Sequence, residues 1–159
     1  MNTLDTTTPA TSTTGTEANG TLVRRFYELA WAKADFGLLD EMLVADYMHH
    51  DPALPPEWQR GRESYKQITG AFTSAFPDLS VVVEDLVAQG DRVAARWTWE
   101  GTQQGAFQGI PATGKHVTGP GLSIHRIVEG QIAETWISFD ALGLMQQLGV
   151  IPVPGAGGG

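Results

Sequence analysis

The apolar period of this chain changes from 3.6 residues to 2 at Pro77, and few folds accommodate that switch. Upstream, Leu22, Phe26, Leu29 and Ala30 recur at helical spacing, predicting a first helix from Asn19 or Thr21 to Lys33. Phe36, Leu39, Met42 and Leu43 form a second stripe that Asp35 can cap. A third helix opens after Gly61, carries Tyr65, Ile68, Phe72, Ala75 and Phe76 on one side, and stops at Pro77. Downstream, residues 79–88 and 92–100 read as strands joined through Gln89-Gly90-Asp91, with Val93, Ala95, Trp97 and Trp99 on one face. A third strand spans 117–128, bent around Gly119-Pro120-Gly121, and Glu129-Gly130 turns it into a fourth. Helices segregated before an antiparallel meander predict an α+β fold, its curved sheet wrapped round the helices.

The chain has 159 residues, enough for one domain with one core, set here at residues 19–151. Residues 1–18, rich in Thr, Ser and Gly, are expected to be a disordered tail, and residues 152–159 a flexible one. With no cysteine the chain has no disulfide, thiolate nucleophile or zinc-thiolate site. The four histidines, at 49, 50, 116 and 125, follow no metal-ligand spacing, so no metal is expected. Eighteen acidic against ten basic residues give a net charge of -8, which disfavours nucleic acid and anionic membrane surfaces as partners. No run approaches the length of a membrane span and no signal peptide is read, so the cytoplasm is the expected location.

The stretch 132–149, IAETWISFDALGLMQQLG, is the expected seat of the chemistry. Strict alternation puts Ile132, Glu134, Trp136, Ser138 and Asp140 on one strand face and Ala133, Thr135, Ile137 and Phe139 on the other. A carboxylate beside a large apolar wall suits a general base. Asp140 also stands where it would cap the helix at 141–148, and a carboxylate that accepts backbone N–H groups serves poorly as a base. The two roles compete. His125 lies mid-strand with the parity of Ser123, on a face that the pattern leaves open.

The His-Asp-Pro at 50–52, Gly61-Arg62-Glu63, Ala75-Phe76-Pro77-Asp78-Leu79 and the run from Gly90 to Trp97 form one ordered set of motifs. Gly101-Thr102, the run from Gly109 to Lys115, Gly130-Gln131-Ile132, Glu134-Thr135-Trp136, Asp140 and Gln147-Leu148-Gly149 continue it. In this order the chain resembles the SnoaL-like polyketide (ester) cyclases of the nuclear transport factor 2-like superfamily. The resemblance implies a cone-shaped barrel around a deep apolar pocket, pairing as a homodimer through the convex sheet face, and cofactor-free chemistry. It implies that an acid near the last strand removes a proton α to a carbonyl, so that an aldol-type addition closes a ring. Asp140 is the position matched to that acid.

The resulting expectation is a cyclase acting on a small apolar or polycyclic carbonyl substrate, with Asp140 as acid/base and His50 as its electrophilic helper. His49, Trp97, Trp136 and His125 are the expected substrate-binding residues. As adjacent residues, His49 and His50 point different ways, and His50 is favoured on its family-like spelling. Asp51 reads as a turn residue or as the group that orients the neighbouring His. An isomerase, dehydratase or epoxide-opening enzyme on the same fold, and a non-catalytic binding or dimerisation module, stand as alternatives.

Overall fold

The computed structural model describes residues 13–155. Helix α1 (Thr13–Arg25) continues directly into a π-helical turn (Phe26–Trp31). Its start precedes the expected Asn19 or Thr21, so residues 13–18 are helical rather than part of a tail. The Asn19 amide donates to the Gly90 carbonyl at 3.3 Å, which anchors a segment whose Thr and Gly content alone argues against helix. Residues 1–12 and 156–159 of the expected tails lie outside the described residues. Asp35 caps α2 (Phe36–Met42), its carboxylate accepting the Leu38 N–H at 3.0 Å.

The chain then forms β1 (Leu43–His50), a strand that the helical stripe conceals. Met42 closes α2, while Leu43 is already extended at φ -107 and ψ 141, and both are buried. One apolar stripe therefore spans two elements. A 3-10 turn (Pro56–Trp58) leads to α3 (Arg62–Ala75), and the remaining elements are β2 (Ser80–Gln89), β3 (Arg92–Thr102), β4 (His116–Val128), β5 (Gln131–Phe139) and α4 (Ala141–Gln147). The expected four-stranded meander is thus a five-stranded, mostly antiparallel sheet in the order β1-β5-β4-β3-β2. Parallel pairing of β1 with β5 sets His49 beside Thr135 and His50 beside Trp136.

Two bulges shape this sheet. In β5, Ile132 pairs with Ile127 but Glu134 pairs with Arg126, so Ala133 is an extra residue. In β2, Val83 pairs with Trp97 but Asp85 pairs with Arg96, leaving Glu84 extra. Each bulge bends its strand and exchanges the two faces beyond it. The sheet stays open and curved, with its concave side covered by the helices: an α+β fold as expected. Among the described residues no helix is long and apolar enough to cross a membrane.

The core joins Val23, Phe26, Leu39, Tyr65 and Phe76 from the helical layer to Val93, Trp97, Trp99, Val117, Ile127 and Ile132 from the sheet. Burying each large apolar side chain contributes about 1.5–3 kcal/mol. The two tryptophans need room that β4 supplies, because Trp97 pairs with Gly121 and Trp99 with Gly119. A Cβ at Gly121 would overlap the Trp97 ring, and one at Gly119 would sit 2.8 Å from Trp99 Nε1. These glycines do not break the strand; they let the indoles lie across it. Gly121→Ala should therefore destabilise the protein by about 1–3 kcal/mol in urea unfolding, as overpacking does. A variant as stable as the wild type would contradict this packing.

Candidate functional site

A cavity of about 260 Å³ lies between the concave sheet face and the helices. Trp97 and Trp99 from β3, Ile137 and Phe139 from β5 and His49 from β1 line its sheet side. Tyr27 and Trp31 from the π-helical turn and Tyr65, Ile68 and Phe72 from α3 line the helical side. Loop residues Asp51, Leu54, Trp58, Phe107 and Gln108 complete it. The lining is aromatic and apolar with few polar atoms, the usual composition of a site for a flat organic ligand.

Two of those polar groups form a pair. His49 and Asp51 are only 4% and 8% exposed, and His49 Nε2 lies 3.8 Å from Asp51 Oδ2. That separation is too long for a hydrogen bond, so both atoms remain available to a third partner. Local structure fixes each of them. Asp51 Oδ1 accepts the Ala53 N–H at 2.8 Å, which builds the turn out of β1 and leaves Oδ2 facing His49. The Gln59 amide holds that turn by donating to the Asp51 and Leu54 carbonyls at 3.1 and 2.8 Å, and the His49 N–H donates to the Gln59 carbonyl at 2.8 Å. On the other side of the ring, the Tyr47 hydroxyl is 3.3 Å from His49 Nδ1.

Behind the cavity wall lies a row of buried polar groups. Ser123 Oγ is 2.7 Å from the Tyr27 hydroxyl, 3.2 Å from Trp97 Nε1 and 2.9 Å from His125 Nε2. His125 Nδ1 is 2.9 Å from Thr135 Oγ1. Burial pushes the Tyr27, Tyr47 and Tyr65 hydroxyls well above the ordinary tyrosine range, so all three stay protonated. Burial first, and repulsion from His49 second, lower His125 to about 3, so its ring is neutral at physiological pH.

The predicted site residues divide between the two faces of the sheet. His49 and Trp97 line the cavity, and His125 is fully buried on the same side, joined through Ser123 to the lining residues Tyr27 and Trp97. His50 and Trp136 do not line it. The Ala133 bulge reverses the alternation expected for β5, turning Glu134, Trp136 and Ser138 to the convex face and Thr135, Ile137 and Phe139 inward. There His50 stacks on Trp136 with ring centroids 5.1 Å apart and planes at 11°, and its Nε2 meets Glu134 Oε1 at 2.7 Å. Burial alone would raise the Glu134 carboxyl, but bonds from His50 and Arg126 outweigh it and hold the group below the usual carboxylate range.

Asp140 is exposed and caps α4, its Oδ1 accepting the Gly143 N–H at 2.8 Å. Its carboxylate is not part of the cavity wall, so Trp136 and Asp140 do not form the expected pocket side. Tyr47, Tyr65, Trp31, Trp58 and Trp99 were not singled out from the sequence as site residues. Tyr47 shares strand parity with His49, a signal usable only once β1 is known to be a strand. No three His, Asp or Glu side chains among the described residues come together as metal ligands.

The family model of SnoaL-like polyketide cyclases matches residues 21–148. No curated protein matches the sequence. Among solved structures, TsrD from Streptomyces laurentii is 34% identical with a TM-score of 0.75, over 85% of this chain and 97% of its own. IdmH from Streptomyces antibioticus, described as a candidate polyketide cyclase, is 30% identical with a TM-score of 0.72, over 83% of this chain and 99% of its own. AclR from Streptomyces galilaeus, described as a candidate hydroxylase, is 26% identical with a TM-score of 0.74, over 86% of this chain and 99% of its own.

The buried His125 gives stability a defined pH dependence. Its folded pKa lies below the unfolded value of 6.5, so as pH falls the unfolded chain takes up the proton first. The stability conferred by the neutral ring is present above about pH 6.5 and is lost towards pH 3, at a slope of up to about 1.4 kcal/mol per pH unit. Urea unfolding of wild type and His125→Gln should show a stability gap that narrows from pH 7 to pH 4. A constant gap over that range would contradict the assignment.

Proposed function

Because the chain belongs to the SnoaL-like polyketide cyclase family, we propose that its cavity binds an apolar, flat carbonyl compound and closes a ring in it by acid/base chemistry. The observation that carries this reading is the buried His49–Asp51 pair, with Nε2 and Oδ2 3.8 Å apart at the cavity wall. In this mechanism the Asp51 carboxylate removes the proton α to a substrate carbonyl. The His49 Nε2–H donates to the carbonyl oxygen on which the enolate charge develops. The α-carbon then adds to a second carbonyl of the same molecule, and the proton held by Asp51 passes to the new alkoxide. No atom is gained or lost. Trp31, Trp97 and Trp99 supply stacking surfaces, and exclusion of water by the aromatic walls strengthens the hydrogen bond to the enolate. Asp140 and His50, the pair expected from the sequence, have no part in this mechanism.

The convex face carries Val82, Val87, Leu122 and Ile124 at 53%, 68%, 59% and 47% exposure. An apolar surface of this kind supports pairing of two copies through the sheet. Light scattering should give twice the 17.1 kDa chain mass for the wild type and one chain mass for Leu122→Asp. A monomeric wild type would reject the pairing.

The chemistry can be tested without knowing the ring that forms. The protein, incubated in D2O with a bicyclic aromatic ketone bearing an ester-activated α C–H, should accelerate exchange of that hydrogen, followed by proton NMR. Asp51→Asn should slow the catalysed exchange by about 100- to 1,000-fold, the contribution of a positioned general base, while Asp140→Asn keeps it near wild type. Exchange that survives in Asp51→Asn and vanishes in Asp140→Asn would return the role to Asp140.

A further inference from the structure

We propose that Gln108 reads the end of the substrate remote from the reacting carbonyl, selecting flat compounds that carry a hydrogen-bonding group there. The assignment rests on the cavity being the cyclase site. Helix α3 gives that cavity its scale. His49 packs on Tyr65 with ring centroids 4.8 Å apart, whereas Phe107 packs on Phe72 at 5.2 Å. Tyr65 and Phe72 both line the cavity from α3 and stand two turns apart, which separates the two contacts by about 10 Å. The His49–Asp51 pair therefore occupies one end and the loop after β3 the other. A polycyclic body with its reacting carbonyl at the pair reaches that loop with its far ring.

At the far end Phe72, Trp99 and Phe107 present aromatic walls. Of the polar side chains in the lining, Tyr27 and Trp97 are committed to Ser123, and Tyr65 stands with His49. Gln108, exposed at the rim, brings the one amide of the lining. An amide both donates and accepts, so it matches a hydroxyl, ketone or ester oxygen. Its backbone is fixed. The Phe107 N–H donates to the Ile110 carbonyl at 2.9 Å and the Ile110 N–H to the Phe107 carbonyl at 2.8 Å. These bonds close a two-residue turn in which Gln108 and Gly109 have φ of 48 and 79. Buried Phe107 precedes the turn, and the Gln103 amide holds Ile110 and Pro111 behind it. Glu129-Gly130 has the same pair of positive φ angles but lies outside the cavity lining, so placement at the rim, not the turn itself, gives Gln108 its role.

Isothermal titration calorimetry with two naphthalene probes tests the assignment. One is a methyl hydroxynaphthoate whose hydroxyl and ester stand on adjacent carbons, and the other is the same ester with a second hydroxyl on the remote ring. The wild type should bind the second about three- to tenfold more tightly, the range of one neutral hydrogen bond. Gln108→Gly should bind the two esters equally, and the first as tightly as the wild type does. Glycine suits a φ of 48, so this variant should melt no lower than the wild type. Equal affinities in the wild type, or a preference that Gln108→Gly keeps, would overturn the role of Gln108 and leave the cavity reading standing. A wild type that binds neither ester would overturn the cavity reading, and the role of Gln108 with it.

Discussion

One extra residue in β5 decides which side chains this protein places around its cavity. Without the bulge at Ala133, strict alternation from Ile132 would turn Glu134 and Trp136 inward and Thr135 outward. With it, Ile132 stays in the core, Thr135 joins the inner face beside His49 and His125, and Ile137 and Phe139 line the cavity. The parallel pairing of β1 with β5 depends on the same register, since it places His49 opposite Thr135 and His50 opposite Trp136. A slip of one residue would exchange the two histidines between an aromatic cavity and an exposed sheet face.

The interior combines two kinds of surface that differ in their demands. Trp99, Phe72 and Phe107 require only shape and area, Trp97 a partner for its N–H as well, and glycines at 119 and 121 in β4 supply the space for the indoles. The buried groups Ser123, His125 and Thr135 require every donor to meet an acceptor, because an unsatisfied buried group costs about 1–3 kcal/mol. The Gln103 amide provides comparable order in the loop after β3. It is fully buried, donates to the Ile110 and Pro111 carbonyls and accepts from Thr113, which holds the segment that carries Phe107 to the cavity.

Much of the fold was legible in the residue pattern. Pro77 marks the change of period, Asp35 and Gly61 set the starts of α2 and α3, and Val93 to Trp99 alternate as a strand with one buried face. The family resemblance was legible in the ordered motifs, which the match over residues 21–148 bears out. The site was less so. Periodicity cannot register an extra residue inside a strand, so Trp136 was expected on the wrong face. Nor could it separate β1 from the helix before it, and with β1 went the shared parity of Tyr47 and His49. His49 and Trp97 were named from the sequence and do meet at the cavity, whereas Asp51 was read mainly as a turn residue. It is one: a single oxygen builds the turn and leaves the other for His49.

The central claim is that the enolate oxygen of a bound carbonyl compound is held at the His49–Asp51 end of the inner cavity. A crystal structure with a naphthol carboxylic ester, a stable mimic of a flat enolised ketone, addresses it most directly. The account predicts the naphthol oxygen within hydrogen-bonding distance of His49 Nε2, with the rings between Trp97 and Phe72. A ligand seated instead on the convex face against His50 and Trp136, or one whose oxygen turns to Asp140, would contradict it.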